Sequence, residues 1–224
     1  MRAVDIFFNF SVLERALPML LRGLWYTLSL GVTAIVLGSV LGGLICLLRL
    51  YAPRPFRLLA VLYIDLVRAV PVLVLLILIY YALPFGGITL SSFQAAAAAL
   101  TLVLAAFTAE VVRAGIQAVP KGQFEAASAL GLRFWPTMRK VILPQAIRIV
   151  IPPHASNCVS VIKDTALASV VALSDLLKQA TDAQALFANP SPLIGAALIY
   201  VAILWPLVRL TGWLEVRAQR AYAR

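Results

Sequence analysis

The sequence of 224 residues has few of the side chains from which active sites and metal centres are built. It contains one histidine, two cysteines and nine acidic residues. Cys46 and Cys158 both lie in apolar stretches and form no CxxC pair, so neither a disulfide framework nor a zinc site is predicted. We interpret His154 as a packed polar group beside Pro153 rather than as a catalyst.

Short catalytic motifs are also missing. The sequence has no GxxxxGK[ST] string, which excludes ATP binding by a P-loop in this chain. It has no GxSxG or HExxH string either. We therefore expect a chain that is not an enzyme and binds no cofactor or metal of its own.

Charged residues are scarce and apolar residues abundant. Apolar residues make up 62% of the chain, and the mean hydropathy is +0.96, well above that of a typical soluble protein. The net charge of +10 would suggest nucleic-acid binding in a soluble chain. Here the basic residues lie in short loops between apolar runs, so we predict a protein of the lipid bilayer with no nucleic-acid partner.

The apolar runs predict a single all-α integral membrane domain, residues 1–224, with five transmembrane helices. The predicted spans are about 20–48, 58–83, 93–119, 147–162 and 193–213. We expect the fourth to be interrupted by Pro152 and Pro153, because proline removes a helical hydrogen bond. In the first span Ala34, Gly38 and Gly42 recur at every fourth position, which predicts a smooth face for close helix packing.

Basic residues are distributed unevenly between the loops. Most lie in three segments: 49–57, 121–148 and the tail from Arg209. The intervening loops, 84–92 and 163–191, contain only two lysines. By the positive-inside rule, this alternation predicts an outer N-terminus and a cytoplasmic C-terminus. We expect 163–191 to form short helices at the outer face.

The basic segment 121–148 predicts a cytoplasmic helix–turn–helix that docks onto another protein. A first short helix is expected over 123–130 and ends at Gly131, since glycine adopts the left-handed conformation without strain. A second is expected between Pro136 and Pro144. Three alanines give the first helix a face of small side chains: Ala126, Ala127 and Ala129.

Residues of this segment resemble a known family. Glu125-Ala126-Ala127, Gly131 six positions after the glutamate, and Leu143-Pro144 match the EAA loop of bacterial ABC importer permeases. The string AAFTAEVVRAGIQAVPKGQFEAASALG, followed by LPQAIR, is similar to the polar amino-acid uptake branch of that family. The resemblance covers about half the chain and implies a MetI-like fold with a coupling loop at 121–146. It implies these ATPase-coupling residues: Gly122, Glu125, Ala126, Ala127, Gly131, Leu143 and Pro144.

The resemblance also implies the partners of the chain. It implies a bacterial inner-membrane location and a second permease subunit, identical or related. Cytoplasmic ATPase subunits would carry ATP and Mg, and a periplasmic binding protein would deliver an amino-acid substrate.

Ionisable residues inside predicted spans suggest either a substrate pathway or internal ion pairs. Asp65 and Arg68 are three residues apart, as are Glu110 and Arg113, so each pair could neutralise itself. The string Asn157 to Thr165, with Lys163-Asp164, also resembles the permease pattern. The candidate substrate-pathway residues are Arg68, Glu110, Asn157, Lys163, Asp164 and Thr165.

Two other classes of protein fit the sequence less well. A secondary transporter driven by an ion gradient would show internal inverted repeats and more spans, and no repeat is visible here. A membrane-embedded enzyme would need a convergent nucleophile or metal set. The sequence therefore favours the ATP-driven importer.

Overall fold

The computed structural model of the protein describes residues 7–222, and none of these residues lies in a β-strand. The predicted all-α class is therefore confirmed. The first six and last two residues, on which the predicted positions of the termini depend, lie outside the described residues. In chain order the α-helices are α1 (Phe10–Tyr51), α2 (Arg54–Ala69), α3 (Val72–Ile77), α4 (Ser92–Gln117), α5 (Lys121–Ala129), α6 (Phe134–Thr137), α7 (Leu143–Asp164), α8 (Leu176–Phe187) and α9 (Ser191–Tyr222).

Helix α1 packs against α4 through its stripe of small residues, as predicted. Ala34 is fully buried. A Cβ atom added to Gly38 would lie 2.8 Å from the Cβ of Leu104. One added to Gly42 would lie 2.5 Å from the Cβ of Thr108. The two helix backbones are thus close enough that no side chain larger than hydrogen fits at either glycine.

Helix α4 is the central helix of the fold. Its N-terminus is fixed by a capping box, in which Ser91 accepts from the backbone of Gln94 and the Gln94 side chain accepts from the backbone of Ser91. In its most apolar stretch 61% of the residues are buried. Alanine is the most frequent residue of α4, and its small side chain lets neighbouring helices approach closely. Helix α4 contacts α1, α2 and α7.

The second predicted span, 58–83, does not form one continuous helix. Helix α2 ends at Ala69, and the chain turns by 106° before the helical segment Val72–Gly86 begins. Pro71 explains the turn. Its ring disfavours the α-helical conformation at the preceding residue, and Val70 is extended, with φ −92° and ψ 130°.

The predicted interruption at Pro152 and Pro153 is also wrong, because α7 is helical through both prolines. The irregular backbone lies at the two ends of α7 instead, as a π-helical turn over Met138–Ile142 and a 3-10 helix over Thr165–Val171. Membrane helices tolerate proline where neighbouring helices support the turn that loses its hydrogen bonds. Here α4 and α9 both pack along α7.

The second short helix predicted between Pro136 and Pro144 differs as well. The chain is helical from Phe134 and runs into α7 without a stop. Pro144 falls in the first turn of α7, directly after the π-helical turn, so its missing N–H breaks no regular helical ladder.

Within residues 7–222, three helices are long and apolar enough to cross a membrane: α1, α4 and the part Ser191–Ala218 of α9. A fourth is obtained if α2 and Val72–Gly86 count as one bent span. Helix α7, which contains the fourth predicted span, is not among them. The predicted count of five spans is therefore not confirmed.

The segment 163–191 forms short helices, as predicted, and they pack on the N-terminal half of α1. Gly23 of α1 lies directly under Asp175, where an added Cβ would be 2.7 Å from the carbonyl oxygen of Asp175. The backbone N–H of Leu176 donates to the hydroxyl of Thr27 at 3.0 Å. The start of α8 is thereby fixed against α1.

Candidate functional site

The predicted coupling helix is present as α5, and Gly131 ends it. Gly131 has φ +72°, in the left-handed region. Its N–H donates to the carbonyl of Ser128 at 2.9 Å, and the N–H of Leu132 donates to the carbonyl of Ala127 at 3.0 Å. These two bonds form a Schellman motif, which satisfies the last carbonyls of the helix and reverses the chain.

The face of α5 is only partly as predicted. Glu125, Ala126 and Ala129 are exposed. Ala127 is 3% exposed and is turned toward the rest of the chain. The prediction that Ala127 belongs to an outward docking face is therefore wrong. Successive helical residues are about 100° apart, so three near-consecutive alanines cannot all point outward.

A compact apolar cluster attaches this region to the helix bundle. Met138, Ile142 and Ala146 pack against Ile116 and Val119 at the end of α4. The side chain of Gln145 also donates to that of Gln123 at 3.3 Å, which links α7 to α5. Helix α5 and its turn are thus held to α4 and α7 by side-chain packing as well as by the chain.

Large apolar side chains are exposed next to α5. Leu130 is 80% exposed, Trp135 75% and Phe134 52%. Exposed apolar groups clustered on a polar segment are typical of a protein-binding surface. These three side chains are not among the predicted coupling residues, although apolar side chains within an otherwise polar segment are a signal in the sequence. The remaining predicted coupling residues lie around this surface: Gly122 and Pro144 exposed, and Leu143 half-buried.

Glu110 is bound by two arginines. Its Oε2 accepts from Nη1 of Arg49 at 2.5 Å and from Nε of Arg113 at 3.2 Å. Arg113 also pairs with Oε1 of Glu110 and donates to Gln117. The internal pair of Glu110 with Arg113 is confirmed. Arg49 was missed, because it comes from α1 and nothing in the local sequence links it to Glu110.

Arg68 does not pair with Asp65, so the possibility that these two residues neutralise each other is not realised. Both side chains are exposed, and no ion pair involves either of them within residues 7–222. The guanidinium of Arg68 lies instead 5.4 Å from the ring centroid of Phe107 on α4, a cation–π contact.

The other pathway candidates lie in the second half of α7 and at its end. Asn157 and Asp164 are half-buried and Lys163 is exposed, and none of the three side chains has a hydrogen-bond or ion-pair partner in the described part of the chain. Thr165 is fully buried, and its hydroxyl donates to the carbonyl of Ile162 at 2.7 Å. Thr165 is therefore a packed residue here.

The candidate substrate-pathway residues do not lie close together in the structure. Asp164 borders a narrow crevice lined in part by Ala99 and Leu100 of α4. Glu110 is ten residues further along the same helix, or about 15 Å at the helical rise. Arg68 lies between these levels, against Phe107. The charges are thus spread along α4 rather than set around one cavity of this chain.

The interpretation of His154 as a packed polar group is confirmed. Its Nε2 is 3.0 Å from the hydroxyl of Ser39 on α1, and its Nδ1 is 3.3 Å from the hydroxyl of Thr108 on α4. Cys158, one turn further along α7, also contacts the ring. Among residues 7–222, no group of three or more histidine, cysteine or acidic side chains could hold a metal ion.

The fold and these residues match known proteins. The family model for the binding-protein-dependent transport system inner membrane component matches residues 34–220. The chain is 36% identical over 220 residues to the "Probable glutamine ABC transporter permease protein GlnM" of Bacillus subtilis (strain 168), which covers 96% of this chain and 100% of the relative.

Solved structures of ABC transporters are also similar to this chain. A chain from "Crystal structure of an amino acid ABC transporter with histidines" superposes with a TM-score of 0.87 and 35% identity, covering 93% of this chain and 98% of that one. A chain of the MetNI methionine ABC transporter, in an inward-facing conformation, gives a TM-score of 0.75 at 21% identity, with 92% and 98% covered, and supports the fold alone. The chain belongs to the family of binding-protein-dependent inner-membrane transport components. It is an ABC importer permease, a transport subunit with the MetI-like fold, and not an ion-gradient-driven secondary transporter.

Proposed function

We propose that this chain is the membrane-spanning permease subunit of an ATP-driven importer for polar amino acids. It forms the translocation path together with a second permease subunit, identical or related. ATPase subunits bind it from the cytoplasm and carry the ATP and Mg, and a periplasmic binding protein delivers the substrate. The amino-acid class is supported by the similarity to a glutamine permease and to the amino-acid transporter chain.

The main support for this proposal is the exposed surface of α5 and the residues beside it. Glu125 and Ala126 are exposed on a short helix that is ended by Gly131, with Leu130 and Trp135 exposed beside it. This surface is the proposed docking site for the ATPase. Because Met138 and Ile142 pack the region against α4, a displacement of the docked surface would move the bundle with it. The proposed coupling residues are those predicted from the sequence, with Ala127 supporting α5 from inside.

The substrate pathway is proposed to pass the second half of α7. An amino acid carries an ammonium and a carboxylate, so its path needs both an acceptor and a cationic donor. Asp164, Lys163 and Asn157 provide unpaired groups of these kinds, and Arg68 adds a cation from α2. Glu110 has a structural role in this proposal, because its carboxylate is already bound by two guanidinium groups. Thr165 supports the end of α7 by packing.

The proposed topology keeps five spans in the bacterial inner membrane, with an outer N-terminus and a cytoplasmic C-terminus. The second span is the bent pair of α2 and Val72–Gly86, and α7 is the fourth. The polar residues Asn157, Lys163 and Asp164 along α7 are consistent with a helix that faces a polar pathway rather than lipid.

Co-purification tests the docking proposal. Ala126→Arg places a large charge on the proposed surface, and we expect the cognate ATPase subunits to be lost from the affinity-tagged permease. Ala185→Arg is the matched control, since Ala185 is also an exposed helical alanine but lies on α8. Retention of the ATPase by Ala126→Arg at the level of the control would contradict docking at α5.

A further inference from the structure

The last helix carries two tryptophan–arginine pairs on one exposed face. The guanidinium of Arg209 lies 5.7 Å from the ring centroid of Trp205, and that of Arg217 lies 5.0 Å from that of Trp213. Trp205 is 61% exposed and Trp213 53%. The pairs are eight residues apart, about 12 Å along the helix, and each arginine is one turn after its tryptophan.

The space between the pairs is an open groove. Val208, Gly212 and Val216 line it together with the four paired side chains. Gly212 leaves room there, since a Cβ added to it would meet no atom within 4 Å. The groove therefore offers an apolar floor with a cation and an indole ring toward each end.

In the described part of the chain, no acid neutralises this face. Arg209 and Arg217 form no ion pair with any acid whose side chain the structure describes. Glu215, the nearest acid in sequence, bonds elsewhere, because its Oε1 accepts from the hydroxyl of Ser156 on α7 at 3.3 Å. A second copy of the chain, packed symmetrically through this face, would bring the same unpaired arginines toward one another, which is unfavourable.

We propose that this groove binds an anionic phospholipid. Arg217 holds the phosphate of the headgroup, and Arg209, about 12 Å away along the helix, adds to the positive potential of the face. The indole rings lie toward the boundary between headgroup and hydrocarbon, and an acyl chain lies against Val208 and Gly212. Arginine and tryptophan are the side chains suited to that boundary, and basic residues there attract anionic lipid. This site is independent of the substrate and of the ATPase.

Tryptophan quenching by lipid tests the proposal. The chain has four tryptophans, so Trp25→Phe with Trp135→Phe leaves the two indoles of the groove. This variant of the full chain is placed in phosphatidylcholine vesicles that contain a minor fraction of brominated phosphatidylglycerol or, in parallel, of brominated phosphatidylcholine. We expect about fivefold preferential quenching by phosphatidylglycerol, the preference of a single basic residue for an anionic membrane surface. High salt should abolish this excess.

Variants complete the test. In the same background, the tryptophan fluorescence of the Arg209→Gln, Arg217→Gln variant should be quenched equally by both lipids. Arg54→Gln with Arg57→Gln changes two exposed arginines of α2, and this variant should keep the preferential quenching by phosphatidylglycerol. Equal quenching of the unaltered groove by both lipids would overturn the proposal. Weak quenching by both, with a change of oligomeric state in the Arg209/Arg217 variant, would also overturn it and assign the face to a protein partner.

Discussion

Arg49 and Glu110 form an ion pair, with 2.5 Å between Nη1 and Oε2, across 61 residues of sequence. The side chains are 19% and 22% exposed. The pair joins the end of α1 to α4, and Tyr51, two residues after Arg49, contacts Met138 and Phe134 of the coupling region. The end of α1 thus touches both the central helix and the segment that follows the turn at Gly131.

Glu110→Gln should destabilise the permease. The substitution keeps the shape of the side chain but leaves Arg49 and Arg113 without their counter-charge in a mostly buried position, at a cost of about 1–3 kcal/mol. We expect a lower thermal midpoint for the purified protein. Asp182→Asn is the control, since Asp182 pairs with Lys178 at a more exposed site, where the two side chains are 43% and 36% exposed. An equal shift in both variants would show that the Glu110 cluster is not a structural clamp.

Gly42→Ala should weaken the packing of α1 on α4. The added Cβ would lie 2.6 Å from the carbonyl oxygen of Ala105, so the helices must separate. We expect a loss of about 1–3 kcal/mol in the free energy of unfolding, typical of overpacking. Gly43→Ala is the matched control, because a Cβ at Gly43 meets nothing within 4 Å. Equal stability of the two variants, measured by chemical denaturation in detergent, would contradict the close contact.

Gly131→Val should uncouple the permease from its ATPase. A β-branched residue at φ +72° costs about 1–2 kcal/mol or more and disfavours the turn after α5. Gly131→Asn should be tolerated far better, since asparagine enters the left-handed region more readily. The measurement is ATPase activity of the assembled complex with and without loaded binding protein. Full stimulation in Gly131→Val would mean that the turn has no part in coupling.

Asp164→Asn and Lys163→Gln should alter transport without loss of assembly. Neither side chain has an ion-pair partner in the described structure, so neither substitution leaves a charge stranded. We expect a change in uptake rate or in preference among amino acids for each variant, with the complex intact on size-exclusion chromatography. Uptake identical to that of the unaltered protein in both variants would place the pathway elsewhere.

Local sequence patterns predicted the features that depend on short spacings. Gly38 and Gly42 pack on α4 because a four-residue spacing keeps them on one helix face, and Gly131 ends α5 because few other residues adopt its conformation. The pairing of Arg49 with Glu110 could not be predicted, since it depends on how two distant helices cross. The effect of proline on the helices could not be predicted either. Pro71 stands at a sharp bend that the sequence pattern did not indicate, whereas Pro152, where an interruption was expected, lies within a helix supported by its neighbours.

ATP-dependent uptake in reconstituted vesicles tests the central claim most directly. The permease, its partner permease if different, and the ATPase subunits are inserted into proteoliposomes, and a radiolabelled polar amino acid is presented with the binding protein. We predict uptake only when ATP, Mg and binding protein are all present, and its loss in Gly131→Val. Uptake driven by an ion gradient in the absence of ATP, or unaffected by omission of the ATPase, would contradict the account.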